Sequence, residues 1–75
     1  MLKTLVKNFI FKRLGNEPEI MNMEQNKMTE WLETSAEGMI AAARTAKASD
    51  EMIIDFLSKN PKLTIKKNLE IEIEL

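Results

Sequence analysis

The stretch Leu63-Thr64-Ile65-Lys66-Lys67-Asn68-Leu69-Glu70-Ile71-Glu72-Ile73-Glu74-Leu75 decides the fold. Its odd-numbered residues are Leu or Ile except at Lys67, and its even-numbered ones are polar. A period of two is that of a strand with one buried and one wet face. Lys66-Lys67-Asn68 interrupts the alternation and reads as the turn of a hairpin. A two-residue loop at Lys67-Asn68 would set Ile65 against Glu70, apolar against acid. A three-residue loop, Lys66-Lys67-Asn68, sets Ile65 against Leu69 and Leu63 against Ile71, with Asn68 in the left-handed conformation such loops need. That register is the expected one, although a single unbroken strand pairing with another chain would keep the same face. A lone hairpin is marginal in water, so its apolar face calls for a helix layer or more strands.

Working outward, Ser49 reads as the cap of a short helix over residues 50–59, with Asp50 and Glu51 in its first turn, Met52, Ile53, Phe56 and Leu57 inward, and Asn60-Pro61 as its stop. Before it, Met21, Gln25, Met28, Leu32, Ser35, Met39, Ala42 and Ala46 fall on one helical stripe with Trp31 beside it. The phase predicts one long helix over residues 18–47, roughly 45 Å at 1.5 Å per residue. Pro18 suits its first turn. The alternative is a break at residues 34–38, where Thr34 and Glu37 imitate a capping box and Gly38 weakens the helix. Leu2, Leu5, Val6, Phe9, Ile10 and Leu14 predict a further amphipathic helix over residues 2–14 that ends at Gly15. A strand through Val6–Phe11 is its competitor. The expected fold is therefore α+β: a single small domain over residues 1–75, with two or three helices, one of them long, and a C-terminal β-hairpin.

Seventy-five residues allow one modest core, worth about 3–5 kcal/mol unless a staple adds to it. There is no cysteine or histidine, so neither a disulfide nor an ordinary zinc site is expected. Association is the staple that remains, and a homo-oligomer, a dimer or larger, is expected. With 44% apolar and 31% charged residues the chain reads as soluble and globular, and cytoplasmic is the default compartment. No apolar run approaches a membrane span. The basic amphipathic start could lie on an anionic membrane surface, but a helix covering the hairpin is the preferred reading. Charge comes in blocks: residues 1–14 hold four basic and no acidic side chains, and residues 15–42 hold six glutamates and one lysine. Such blocks either steer assembly or are simply solvated.

Catalysis finds little to work with. Histidine, cysteine and tyrosine are absent, no serine lies in a nucleophile-elbow pattern, and the two glycines build no phosphate loop. Carboxylate pairs such as Glu30 with Glu33 lie on polar helix faces and not in the cleft that a working acid–base pair needs. The expectation is a non-enzymatic interaction protein without cofactor or metal, a structural or regulatory subunit whose size and composition suggest a phage or mobile-element source. Its expected interface is Met28, Trp31, Leu32, Met39 and Ala46, where methionine and tryptophan give an adaptable, anchoring surface. A protein partner is expected too. The alternative is nucleic-acid binding through Lys59, Lys62, Lys66 and Lys67, which is disfavoured because only two arginines are available and glutamates flank the cluster. Residues 49–66 resemble the opening helix and turn of bacterial winged-helix regulators. The alternating stretch that follows replaces the two helices that family places next, so no functional residue carries over.

Overall fold

The computed structural model describes residues 1–74. They form four helices and a two-stranded antiparallel hairpin: α1 Leu2–Leu14, α2 Pro18–Met21, α3 Gln25–Thr45, α4 Asp50–Ser58, β1 Lys62–Ile65 and β2 Ile71–Glu74. This is the small α+β architecture expected. Helix α1 is helical throughout and buries Val6, Ile10 and Leu14, one residue per turn of a single stripe. It lies against both α3 and β1, and the core is built around it: Val6, Ile10, Leu14, Ala36, Ile53, Leu57 and Leu63 form one buried cluster. Thus α1 is the central core helix beneath the hairpin.

The long helix is shorter than its stripe implied. It breaks at Asn22-Met23-Glu24, and the chain runs straight through residues 34–38. The reason is Ile20, which is fully buried in the one-turn helix α2. At 100° per residue, an unbroken helix would set Ile20 roughly 160° around the axis from Ala36, the fully buried residue of α3, and so in solvent. The break lets both go inside. Helix α3 is also turned from the expected stripe. Its core side runs through Leu32, Ala36, Ile40 and Ala43, roughly 80° from the mean direction of Met28, Leu32, Ser35, Met39, Ala42 and Ala46.

Helix ends follow capping chemistry. At the end of α3, Lys47 is left-handed (φ 64°), and the Lys47 and Ala48 N–H groups donate to the Arg44 and Ala43 carbonyls, both at 2.9 Å. That is a Schellman closure with lysine where glycine is usual. Helix α4 starts on Ser49, whose hydroxyl accepts the Met52 N–H at 3.2 Å, and an Arg44–Asp50 pair at 3.3 Å joins it to α3. It ends on Asn60, left-handed at φ 53°, before Pro61.

The hairpin register is corrected by the structure. Leu63 pairs with Ile73 and Ile65 with Ile71, two places from the expected partners Ile71 and Leu69. The loop is still three residues long, but it is Lys67-Asn68-Leu69, closed by Lys66 N–H to Glu70 O at 2.9 Å. Leu69, and not Asn68, takes the left-handed conformation, at φ 68°. Two bonds account for the shift: the Glu70 N–H donates to Asn68 Oδ1 at 3.2 Å, and the Trp31 ring N–H donates to the Leu69 carbonyl at 2.8 Å. A shift of two keeps parity, so apolar still meets apolar. Leu63 is buried, Ile65 and Ile71 are half-buried, Ile73 is 37% exposed, and Glu70, Glu72 and Glu74 face solvent. Leu75, expected on the same inner face, lies outside the described residues.

Candidate protein-binding groove

Turning α3 by a fifth of a turn splits the predicted interface. Leu32 goes to the core, packed against the α1 cluster. Trp31 and Met39 pack at the edge of the same cluster and also line an open groove of about 900 Å³ between α3 and the hairpin. Met28 is half-buried, and Ala46 is exposed at the C-cap of α3; neither lines this groove. Ser35, Gly38 and Ala42 form the small-residue part of the helical wall, and Met23, Lys27, Glu30 and Thr34 border the rest of it. The opposite wall is the run from Asn68 to Ile73. Both its apolar and its acidic residues border the space, which means that the edge of β2 faces it and not one side of the sheet alone.

Three features hold this geometry. The Trp31 hydrogen bond ties the hairpin tip to α3 across 38 positions of sequence. Asn68 braces the tip, its amide donating to Glu70 Oε1 at 2.7 Å. Lysines of α1 clamp α3 from behind: Lys3 pairs with Glu33 and with Glu37 (3.4 Å), and Lys7 with Glu33 (3.6 Å). The Lys3 hydrogen bond holds the Glu33 carboxyl below the usual glutamate range, with the charges of Lys3 and Lys7 adding to it. The same bond raises Lys3 above the usual lysine value. The basic and acidic blocks of the sequence therefore meet within the chain.

A second, almost wholly apolar hollow of about 330 Å³ lies between α3, α4 and β2, lined by residues that include Met39, Ile40, Met52, Phe56 and Ile73. Met39 and Ile73 border both spaces. Sequence reasoning missed Gly38, Ile71 and Ile73 as members of the site. The hairpin residues carried a signal in their alternation, but nothing local shows which strand edge is left bare.

Among the described residues, two of the four lysines of the alternative site are ion-paired. Lys59 pairs with Asp55 at 3.4 Å, Lys66 with Glu72 at 3.8 Å, and Lys62 stands opposite Glu74 in the ladder. Lys67 is exposed at the turn. Among the described residues, no group of three or more acidic, His or Cys side chains could hold a metal ion. No helix there is long and apolar enough to cross a membrane. No protein-family model, curated protein or solved structure matches the chain.

Proposed function

We propose that this is a small, non-enzymatic interaction protein of the cytoplasm that works by holding other polypeptide chains in the α3–hairpin groove. The observation that carries the reading is the groove itself. A single tryptophan, a methionine and three small residues stand across from a strand edge, a combination that offers anchoring area and close approach together. Self-association is the homotypic form of the same reading, with α3 helices of two copies laid across each other along Trp31, Met39, Ala42 and Ala46. The absence of any covalent or metal staple in so short a chain supports it. Nucleic-acid binding through Lys59, Lys62, Lys66 and Lys67 draws less support, since Lys59 and Lys66 pair with acidic neighbours and Lys62 stands opposite Glu74 in the ladder.

The test is light scattering of the wild type and of Ala42→Glu, which puts a charge on an exposed groove position. The expected result is a particle heavier than 8.6 kDa at high micromolar concentration that reverts to monomer in the variant. A heavier particle indifferent to Ala42→Glu, Gly38→Leu and Met39→Glu alike would remove the groove from the account.

A further inference from the structure

The groove has a bare strand edge along one wall, and the ladder shows which atoms it offers. Lys66 and Glu70 form a hydrogen-bonded pair, so in the alternating antiparallel pattern Thr64–Glu72 and Lys62–Glu74 are the next bonded pairs. Ile71 and Ile73 lie between them, and their backbone N–H and C=O groups point away from β1. Among the described residues no hydrogen bond reaches those groups. They open into the groove that Ile71 and Ile73 line, opposite Ser35, Gly38, Met39 and Ala42. An incoming strand would find partners for its own backbone on β2 and, behind it, the Trp31, Met39 and small-residue part of the helical wall.

Charge selects what that strand can be. The solvent face of β2 carries Glu72 and Glu74, and Glu70 stands just ahead of the strand. In a two-fold pairing of β2 with a copy of itself, residues of equal parity lie opposite, which sets glutamate against glutamate; like charges directly opposed are destabilising. A folded copy faces a second obstacle. Its hairpin already has helices on its inner side, and in the groove that side is taken by α3. A copy's helix laid across the mouth would bury the stripe but leave the Ile71 and Ile73 backbone groups unpaired. An extended segment free on both faces meets neither obstacle.

We infer that the groove captures, as a third strand on the free edge of β2, an extended segment of another protein in which apolar and basic residues alternate. Its apolar side chains pack on Trp31, Met39 and the small residues of α3, and its basic side chains stand beside Glu70, Glu72 and Glu74. The sheet would then repeat on its outer side the arrangement the hairpin already has, where Lys62 and Lys66 flank the same glutamates. Strand addition of this kind takes affinity from main-chain bonds and specificity from alternate side chains. Gly38 gains a reason: no atom lies within 4 Å of where its Cβ would be, so it keeps open a space in which a strand can approach the helix closely.

This inference rests on the groove being the binding surface, and the experiment separates the two. The probes are the capped heptapeptide Val-Lys-Val-Lys-Val-Lys-Val, its glutamate counterpart, and a peptide of the same composition with valines and lysines in two blocks. The readout is emission of Trp31, the one tryptophan of the chain. The alternating lysine peptide should bind saturably, and the glutamate and block peptides about tenfold more weakly or worse. Ile73→Pro removes one outward N–H, a change an edge strand tolerates, and should abolish binding. Gly38→Leu fills the groove from a helix position that leucine favours over glycine, and should abolish it as well, so the outcome does not hang on one variant folding. Equal binding of lysine and glutamate peptides, no binding of the lysine peptide, or binding that survives both variants overturns the inference. If it is overturned while Ala42→Glu still abolishes self-association, the groove remains an interface whose occupant is a copy. If groove variants change neither assay, both readings fall.

Discussion

Three of the described residues hold left-handed backbone without being glycine, and each marks a place where the chain gives up local stability for direction. Lys47 is the simplest: it is exposed, it closes a Schellman motif, and among the described residues its side chain forms no ion pair. Lys47→Gly should therefore raise stability by about 1 kcal/mol, read as a higher urea midpoint at unchanged slope. The true glycines predict opposite signs. A Cβ on Gly15 would sit 2.5 Å from the Phe11 carbonyl oxygen, a backbone atom that cannot yield cheaply, so Gly15→Ala should destabilise by about 1–3 kcal/mol. Gly38 lies inside α3 with open space beside it, so Gly38→Ala should stabilise by up to about 1 kcal/mol. A midpoint that falls on Gly38→Ala would mean that the groove is tighter than its walls indicate. Leu69 is the costly case, kept left-handed while its carbonyl accepts the Trp31 N–H. Trp31→Phe keeps most of the apolar area and deletes that bond, and should cost about 1 kcal/mol.

Among the elements, those set by local chemistry were legible and those set across distance were not. Helices α1 and α4 follow from periodicity and from caps at Ser49 and Asn60, and the hairpin follows from alternation. Its register differed because Trp31, far away in sequence, fixes the Leu69 carbonyl, and no turn rule sees that bond. The break at residues 22–24 answers to the burial of Ile20, again a long-range demand. The groove was half legible: Met39 stood on the stripe and Trp31 beside it, whereas the bare edge at Ile71 and Ile73 exists only once the register is known. The blocks of charge were visible, but their pairing across α1 and α3 was not. That pairing has a pH signature. Because Glu33 is held below its ordinary value when folded, its contribution is complete above the ordinary carboxylate range and is lost as pH falls through the lowered folded value. Lys3, raised when folded, contributes below the ordinary lysine value and ceases to as pH rises through its raised one. Both side chains are well exposed, so the effect is small and screened by salt. Glu33→Gln should flatten the acid limb of a stability–pH curve at low ionic strength and change little in molar salt.

At the scale of the whole molecule, one thin core holds together a chain with an open side. The radius of gyration is 12.1 Å, a little above the roughly 11.3 Å expected for a compact chain of this length, and the difference is in keeping with a groove cut into one flank. Among the described residues seven make the buried cluster, while Trp31, Met39, Phe56 and Ile71 are only partly covered. Anything that fills the groove adds to the apolar area taken from water and binds the folded state alone, so it must raise stability by mass action: a ligand at a hundred times its dissociation constant adds about 2.7 kcal/mol. Self-association and strand capture would draw on the same surface, and two consequences follow from that. The thermal midpoint should climb with protein concentration in the wild type and stay flat in Ala42→Glu. Adding the alternating lysine peptide should raise the midpoint further while lowering the mass seen by light scattering, because a strand lodged between α3 and β2 displaces a second copy from the mouth. A midpoint that rises with peptide while the heavier particle persists would show that the copies meet elsewhere, for instance on one flank of α4, where Met52 on one side and Ile54 on the other are 60% and 44% exposed. A midpoint that ignores both concentration and peptide would mean that the core stands alone and the groove stays empty.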